Sequence, residues 1–411
     1  MKYHNTIIAV GLALACCTAL SAPAAVQEAP AAAPAPAPVK GIPIAKPAEL
    51  MKLTKVQPGL YTLRCAGMDK GQANFYGPYD TSAPAAKGVC AVPSFGCSSV
   101  VNGDFVGRNM DYFNTPAPYF MVWTDAGKDH YASLAMSFAP LDKTNFTKSS
   151  QTVPDDINLY NTPEQLARLT TMVLDGVNEK GLCCTTHVVE PVDANNTDKG
   201  TNPGAPELSI FMVCRYVLDH AATADEAIEL LKKRSIRVVD PAFIFHWIIA
   251  DRNHCYIVEV ADDQLRYTDK KRVMTNFLCT KPGLNSHPWG LERMQVLEEH
   301  YNEGTSVEGM YNLMRRAQYT LAYKMDTKPY RYSEHTGYCD DGLEFTVQTP
   351  LYDPALRREM EEEAEAFKVV TPENNPLMLW ETTYCTVYDM ANKTMRLMMH
   401  EKYDTFYDAK L

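Results

Sequence analysis

Apolar runs near residue 100 and after residue 240 have the patterns of β-strands. "SSVV" and "DFVGR" flank Asn102-Gly103, a dipeptide typical of a tight hairpin turn. The segments "AFIFHWIIAD", "HCYIVEVAD", "QLRYTD" and "RVMTN" follow one another with short polar turns between them, as successive antiparallel strands do. "LWETTYCTVYDM" and "KTMRLMMHEKY" close the chain in the same way. These patterns predict antiparallel sheets.

Helical periodicity fills several intervals between these strands. The segment "NTPEQLARLTTMVLDGV" begins with the capping residue Thr162, and a segment beginning at Thr223 has Glu226 where it completes a capping box. Three further helices are predicted in "PELSIFMVCRYVLDH", "GLERMQVLEEHY" and "SVEGMYNLMRRAQYTLAY". Strands, then helices, then strands predict an α+β fold in which helices cover antiparallel sheets.

The N-terminus has the pattern of a secretory signal peptide. Lys2 precedes an apolar stretch from Ile7 to Leu20, and small residues follow. This stretch is too short for a membrane span, and cleavage is expected near Ala24. A lipoprotein anchor at Cys16 is less favoured because Ala13 stands where a large aliphatic residue is expected. We therefore expect a secreted or periplasmic protein with no membrane span.

Composition narrows the function classes. The chain has 411 residues, of which 46% are apolar, enough for a large core. Its net charge is −11 and it has no basic run, which argues against a nucleic-acid partner. No Cys/His spacing suits zinc, and no metal or cofactor is expected.

Twelve cysteines in a secreted chain suggest disulfides, and Cys65 with Cys90 is the one pairing that we consider. Several other cysteines lie inside apolar runs and are expected to be small core residues. These are Cys183, Cys184, Cys214, Cys255 and Cys385.

Cys97, at the start of the predicted hairpin, allows three interpretations. It can be a buried core cysteine, since cysteine is among the most buried residue types. It can be the nucleophile of a Cys/His protease, although none of the ten histidines lies in a recognisable partner motif. It can also become an N-terminal nucleophile if the bond between Gly96 and Cys97 is broken.

The third interpretation makes the freed α-amine of Cys97 the base for its own thiol. An α-amine has a pKa near ~7.8, so about a tenth of it is free base at neutral pH. A carboxylate can orient such an amine, and a guanidinium can stabilise the thiolate. Asp111 and Arg108 lie on the returning strand of the hairpin and suit these tasks, although a surface ion pair is the alternative explanation for them.

Six segments from Cys97 to the C-terminus resemble, in order, those of the choloylglycine hydrolase and penicillin V acylase family of N-terminal-nucleophile linear amide hydrolases. "GCSS…FVGRNMD" resembles its nucleophile hairpin, and "DGVNEKGL" resembles the segment before a core strand. "FHWIIADRNHCYIVEV" resembles its Trp-containing strand pair, and "VMTN" the Thr-Asn that ends a later strand. "GLERM" and "TTYCTVYDMANKT" resemble its arginine segment and its closing hairpin.

The resemblance implies a fold and a set of roles. The fold is a four-layer αββα sandwich of two antiparallel sheets. Cys97 is implied as nucleophile and, through its freed amine, as base; Asp111 would hold the amine, and Arg108 would lie against the sulfur. Asn276 resembles the side-chain donor of the oxyanion hole. Arg293 resembles a buried arginine that supports the site.

Three departures from bile-salt hydrolases bear on specificity. The hairpin is shorter. The asparagine or tyrosine that those enzymes have after the "NEKGL" strand is not evident, and His187 and Val188 lie near that position. The long stretch before Cys97 is more similar to the N-terminal segment of the isopenicillin N acyltransferase and acid-amidase relatives. Within it, "LYTLRCAG" is strand-like and is expected to join the core.

The sequence thus predicts a secreted hydrolase of small N-acyl amides that cuts itself before Cys97. The predicted segments are a signal peptide (1–25), a Pro/Ala linker (26–45), a pro-segment kept as a small chain (46–96) and the amidase core (97–411). Alternatives are an acyltransferase with an amine acceptor, a bile-salt or penicillin V hydrolase, and an inactive secreted binding protein. The sequence is compatible with a homo-oligomer and does not identify the acyl group of the substrate.

Overall fold

The computed structural model describes the parts of the chain that carry the sheets, the helices and the candidate site. The described residues are 40–66, 96–113, 118–138, 166, 169–171, 173–189, 200–237, 244–281, 290–318, 320–324, 333–338, 344–349, 377–400 and 402–411. They belong to one unit, Pro38–Leu411, and the predicted signal peptide lies outside them.

Strands dominate the described residues. In chain order they are β1 Lys40–Ile44, β2 Thr54–Gln57, β3 Leu60–Cys65, β4 Gly96–Asn102, β5 Phe105–Phe113, β6 Tyr119–Thr124, β7 Ser133–Phe138, β8 Val173–Asn178, β9 Cys183–Val189, β10 Glu207–Ser209, β11 Ser235–Arg237, β12 Ile244–Ala250, β13 Cys255–Ala261, β14 Gln264–Thr268, β15 Val273–Met274, β16 Thr320–Lys324, β17 Ser333–Tyr338, β18 Glu344–Thr349, β19 Leu377–Asp389, β20 Thr394–Met399 and β21 Thr405–Lys410. The α-helices are α1 Val213–His220, α2 Ala224–Lys232, α3 Leu291–Glu299 and α4 Val307–Arg316.

Two large sheets face each other and carry helices on their outer sides. The first has the order β1-β21-β20-β19-β5-β4-β15, with β16 also paired to β19, and the second has the order β14-β13-β12-β9-β8-β7-β6-β3-β2. Strand β4 contacts β9 between the sheets. Helices α3 and α4 contact the first sheet, whereas α1 and α2 contact the second. The predicted α+β fold with four αββα layers is confirmed.

The sheets are mixed, which differs from the expected purely antiparallel pairing. β3 pairs with β6 in parallel, and β1 pairs with β21 in parallel. β3 and β6 run parallel because of the chain path. Between them the chain forms the β4–β5 hairpin in the first sheet and then re-enters the second sheet in the same direction.

Burial on both faces of the sheets explains the continuous apolar runs of the sequence. In β12, Ile248 packs into the core between the sheets, while Trp247 and Ile249 pack into the core beneath α1 and α2. Adjacent strand residues point to opposite faces, so a covered sheet needs apolar residues at almost every position. Burying one such side chain contributes roughly 1.5–3 kcal/mol.

The hairpin that carries Cys97 forms with a turn one residue later than expected. β4 and β5 pair in register from Asn102↔Phe105, so the turn residues are Gly103 and Asp104. Gly103 has φ +57°, the left-handed conformation that glycine tolerates at the first position of a two-residue turn.

Three segments predicted as helix are partly strand. Residues 166 and 169–171 are helical, but Val173–Asn178 form β8 between β7 and β9. Glu207–Ser209 and Thr320–Lys324 are likewise strands rather than parts of helices. In each case pairing with a neighbouring strand overrides local propensity, because tertiary contacts outweigh it.

The segments before Cys97 contribute to both sheets. Leu60–Cys65 is strand β3 inside the second sheet, as expected, and it pairs with β6 over its whole length. Lys40–Ile44, at the end of the predicted linker, form β1 on the edge of the first sheet, which the linker prediction missed. No helix of the described residues is long and apolar enough to cross a membrane.

The predicted core cysteines are confirmed: Cys183, Cys184, Cys214, Cys255 and Cys385 are buried free thiols. Cys65 is also a buried free thiol in β3, and Cys90, the partner considered for it, lies outside the described residues.

Candidate active site

The β4–β5 hairpin sorts the candidate residues onto two faces of the first sheet. Cys97 lies opposite Met110, and Ser99 lies opposite Arg108. Because strand side chains alternate, these four residues share the face that points at the second sheet, whereas Asp111 points to the other face. The three-residue spacing between Arg108 and Asp111 therefore places the two charges on opposite sides of Cys97.

The sulfur of Cys97 lies in a buried pocket of side chains between the sheets. Its Sγ is 3.8 Å from Arg108 Nη2 and 3.8 Å from Met110 Sδ, and the residue is 2% exposed. Burial raises the pKa of the Cys97 thiol, and the nearby Arg108 guanidinium opposes that rise. The sulfur is thus mainly a thiol in the uncut chain, with a cation in place to stabilise its thiolate.

Arg108 is held rigidly against that sulfur. Its Nη2 donates to Thr186 O at 3.2 Å, and its guanidinium lies 4.8 Å from the ring centroid of Tyr384. Its Nε forms an ion pair with Asp175 Oδ2 at 3.3 Å. Burial by itself would lower the pKa of Arg108, but interactions with the Tyr384 and Asp175 side chains outweigh this effect and raise the pKa above its ordinary value. The guanidinium therefore stays charged.

Asp175 is a residue of this site that the sequence reasoning missed. It projects from β8 of the second sheet and accepts hydrogen bonds from Tyr384, Tyr388 and Thr386 of the first sheet. It is fully buried. The available signal was an aspartate inside the apolar strand "VLDGV", because buried carboxylates are rare unless they are paired.

On the opposite face, the Asp111 carboxylate accepts hydrogen bonds from Arg293 and Thr382. Its Oδ2 accepts from Arg293 Nη1 at 2.9 Å, and its Oδ1 accepts from Thr382 Oγ1 at 2.7 Å. A bulge between Thr382 and Tyr384 in β19 explains how these neighbours face different sides, since an extra residue shifts the alternation. Thr382 thereby reaches Asp111, and Tyr384 reaches Arg108.

Arg293 enters the site from the first turn of α3. Gly290 precedes this helix with φ +87°, and a Cβ there would lie 2.5 Å from Arg293 Nη2. Only glycine leaves room for the guanidinium in this position. Arg293 then donates from Nη1 to Cys97 O at 2.6 Å and from Nη2 to Asn276 Oδ1 at 2.9 Å.

Asn276 holds the nitrogen of the candidate nucleophile. Its Oδ1 accepts from Cys97 N at 2.8 Å, and its Nδ2 donates to Val188 O at 2.8 Å. Arg293 fixes the orientation of this amide, because a guanidinium can only donate and must face the oxygen. An amide nitrogen has two hydrogens, so Nδ2 can serve a second acceptor besides Val188 O.

All five predicted residues, Cys97, Arg108, Asp111, Asn276 and Arg293, lie in one buried cluster. The acceptor of Cys97 N here is Asn276, whereas Asp111 binds Arg293 and Thr382. In the uncut chain that nitrogen is a peptide N–H with a single hydrogen. Contact between Asp111 and a freed amine therefore stays a prediction, as does the role of Asn276 toward an oxyanion.

A charged cluster of this kind, with a thiol, two guanidinium groups and an amide, is equipped for acyl transfer at the sulfur. Within the described residues, no group of three or more His, Cys, Asp or Glu side chains is arranged to hold a metal ion.

Comparison with protein families identifies the class of reaction. The sequence profile of the linear amide C–N hydrolases, choloylglycine hydrolase family, matches residues 102–311, just over half of the chain. The chain belongs to this family. The predicted membership is confirmed, and it makes this member of the choloylglycine hydrolase family a linear amide C–N hydrolase.

The comparison with curated protein sequences finds no match. Among solved structures, the chain is similar to a mutant of the conjugated bile acid hydrolase from Clostridium perfringens, with 16% identity, a TM-score of 0.38, and coverage of 77% of this chain and 92% of that one. It is also similar to penicillin V acylase from Agrobacterium tumefaciens, with 17% identity, a TM-score of 0.34, and coverage of 74% and 83% respectively.

Proposed function

We propose that this protein is a self-cleaving amidase that uses Cys97 as an N-terminal nucleophile. The observation that carries the proposal is that one cluster engages both reactive atoms of Cys97. Asn276 accepts from the nitrogen, and Arg108 lies beside the sulfur. A core cysteine of purely structural value needs neither a paired guanidinium nor an oriented amide next to it.

The first step is the cut before Cys97. The Cys97 sulfur attacks the carbonyl carbon of Gly96, the peptide C–N bond breaks, and the nitrogen leaves with the thiol proton. The resulting thioester is hydrolysed by water, which releases the Gly96 carboxylate and regenerates the thiol. Asn276 Oδ1 suits both states, since a peptide N–H and an amine N–H both donate to it.

The mature enzyme then repeats this chemistry on a substrate amide. The freed α-amine takes the thiol proton, the thiolate attacks the amide carbonyl, and Asn276 Nδ2 donates to the oxyanion. The protonated amine returns its proton to the leaving nitrogen, and an acyl-thioester remains. Water attacks the thioester, the acid leaves, and the thiol is restored.

The small chain produced by the cut should stay bound. Leu60 to Cys65 form a buried strand within the second sheet, paired with β6 at every position. Removing it would expose that edge and its apolar residues to water. We propose a secreted or periplasmic location for the two-chain enzyme, on the strength of Lys2 and the apolar stretch that follows it.

Purified mature protein should consist of two chains that end at Gly96 and begin at Cys97. Mass spectrometry with N-terminal sequencing measures this directly. Because burial raises the pKa of the Cys97 thiol above its ordinary value, the thiolate fraction should grow about tenfold from pH 7 to pH 8. Maturation of isolated precursor should accelerate accordingly. An intact chain in fully active enzyme would exclude the mechanism.

The favoured substrates are small aromatic or aliphatic N-acyl amides. The hairpin has a two-residue turn, and His187 stands near the place where bile-salt hydrolases have a polar residue. Its ring nitrogens lie 2.7 Å from Ser99 Oγ and 3.3 Å from Thr275 O, so both nitrogens already contact other groups of the protein.

A substrate panel tests this specificity. N-acyl amino acids should exceed glycocholate and taurocholate in kcat/KM by at least about tenfold, equivalent to ~1.4 kcal/mol of transition-state stabilisation. Penicillin V belongs in the same panel as an aromatic acyl amide. A clear preference for either bile-salt conjugate would show that the departures in the hairpin and at His187 do not set specificity.

A further inference from the structure

Behind Asn276 lies a group of buried polar side chains that the proposed chemistry does not use. The carbonyl oxygen of Thr275, the preceding residue, faces His246 Nε2 at 2.8 Å and His187 Nδ1 at 3.3 Å. The other ring nitrogen of His246 faces Glu259 Oε1 at 3.4 Å. All four residues are at most 1% exposed.

Hydrogen-bond chemistry assigns the protons in this group. A carbonyl oxygen only accepts, so His187 Nδ1 and His246 Nε2 must both carry hydrogens. Burial and the nearby Arg108 hold the pKa of His187 well below its ordinary value. Its Nε2 lies 2.7 Å from Ser99 Oγ, which also donates to Thr185 Oγ1 at 3.1 Å.

His246 differs because its second nitrogen faces a carboxylate. Glu259 Oε1 also accepts from Cys279 N at 2.6 Å, and Glu259 Oε2 accepts from the amide and the hydroxyl of Thr280. Burial favours the neutral acid, but the hydrogen bonds with His246, Thr280 and Cys279 outweigh it and lower the pKa of Glu259. The carboxylate thus faces the second nitrogen of the His246 ring and is itself held by the backbone of residues 279 and 280.

We propose that His246, held by Glu259, is a positioning residue for Asn276. It fixes the Thr275 carbonyl from behind, while Glu259 ties the same ring to the backbone of residues 279 and 280. The peptide that carries Asn276 is thereby anchored on both sides. This inference rests on the proposed function, because Asn276 matters only if the nitrogen of Cys97 takes part in the reaction.

The expected consequence is a rate effect. If the anchor is lost, the Asn276 amide can shift relative to the reacting atoms, and a displacement of about 1 Å can cost on the order of 100-fold in rate. Substrate binding elsewhere in the site should change little. The loss should therefore fall on kcat rather than on KM.

The test compares His246→Ala and His246→Gln with His130→Gln. Gln can keep a donor toward Thr275 O, so we expect kcat per titrated active site to fall about 10-fold for Gln and about 100-fold for Ala, with KM within about twofold. His130 is a buried histidine of the β6–β7 connection and serves as the matched control. The His130→Gln substitution should lower the melting temperature without changing kcat. Unchanged kcat in both His246 variants, or an equal loss in the control, would overturn the proposal.

A second measurement compares wild-type protein with His246→Gln and does not depend on activity. In ¹⁵N-histidine spectra we expect a ring Nε2–H that is protected from exchange with water, because His246 is fully buried and donates to Thr275 O. This signal should be absent from the His246→Gln spectrum. If no protected ring N–H signal is lost on that substitution, the proposal is overturned even if the enzyme cuts itself and turns over amides. Failure of the cut alone would instead overturn the proposed function.

Discussion

Replacing Cys97 with alanine should give a folded chain that stays uncut and hydrolyses no amide. The substitution removes a single sulfur atom from a buried position, so a cost of about 1–2 kcal/mol in folding stability is expected. Activity should fall by on the order of 10⁶-fold in kcat, the scale seen when a covalent nucleophile is removed. Gel electrophoresis and intact mass measure the cut, and thermal unfolding measures the fold.

Cys214→Ala is the matched control for this result. Cys214 is an equally buried free thiol in α1, on the outer side of the second sheet. Its replacement should cost similar stability while the cut and the specific activity stay normal. Cys97→Ser should mature slowly, since a hydroxyl can attack the same carbonyl but is a weaker nucleophile. Normal cleavage of Cys97→Ala would show that an outside protease makes the cut.

The candidate site could be predicted from the sequence wherever its residues lie close together in the chain. Cys97, Arg108 and Asp111 belong to one hairpin, and an Asn-Gly turn with flanking apolar residues predicts their proximity. Asn276 and Arg293 came from resemblance to the family alone, because no periodicity indicates that they meet Cys97. The orientation of the Asn276 side chain toward the nitrogen of Cys97 is visible only in the structure.

The failures of sequence-based prediction have a common physical cause. Val173–Asn178 was expected to continue a helix, yet it forms β8 because β7 and β9 pair with it on both sides. Asp175 lies on this strand, so the incorrect prediction of a helix there also meant that its contacts with the first sheet were not predicted. Contacts between sheets depend on distant parts of the chain, which local propensity does not describe.

Asp175→Asn should reduce both stability and activity, since it leaves the Arg108 guanidinium buried without its carboxylate. Removing one partner of a buried ion pair costs about 3–5 kcal/mol. The hydrogen bonds from Tyr384, Tyr388 and Thr386 would also lose a charged acceptor. If Arg108 shifts away from the sulfur, kcat/KM per active site should fall about 100-fold.

Asp219→Asn separates the effect on the site from the effect on the fold. Asp219 and Arg215 form another buried Arg–Asp pair, within α1 and away from Cys97. This variant should lose similar stability and keep its activity per folded molecule.

The rate of Cys97 alkylation by iodoacetamide in the mature enzyme then decides how Asp175 acts. Removing a negative charge would by itself lower the thiol pKa and speed alkylation, because an anion near a thiol disfavours the thiolate. Displacing Arg108 would do the opposite, since the sulfur would lose the cation now 3.8 Å away. We expect displacement to dominate, with slower alkylation at neutral pH for Asp175→Asn and an unchanged rate for Asp219→Asn. Faster alkylation in Asp175→Asn would mean that Arg108 keeps its place without the carboxylate, and that Asp175 serves the fold alone.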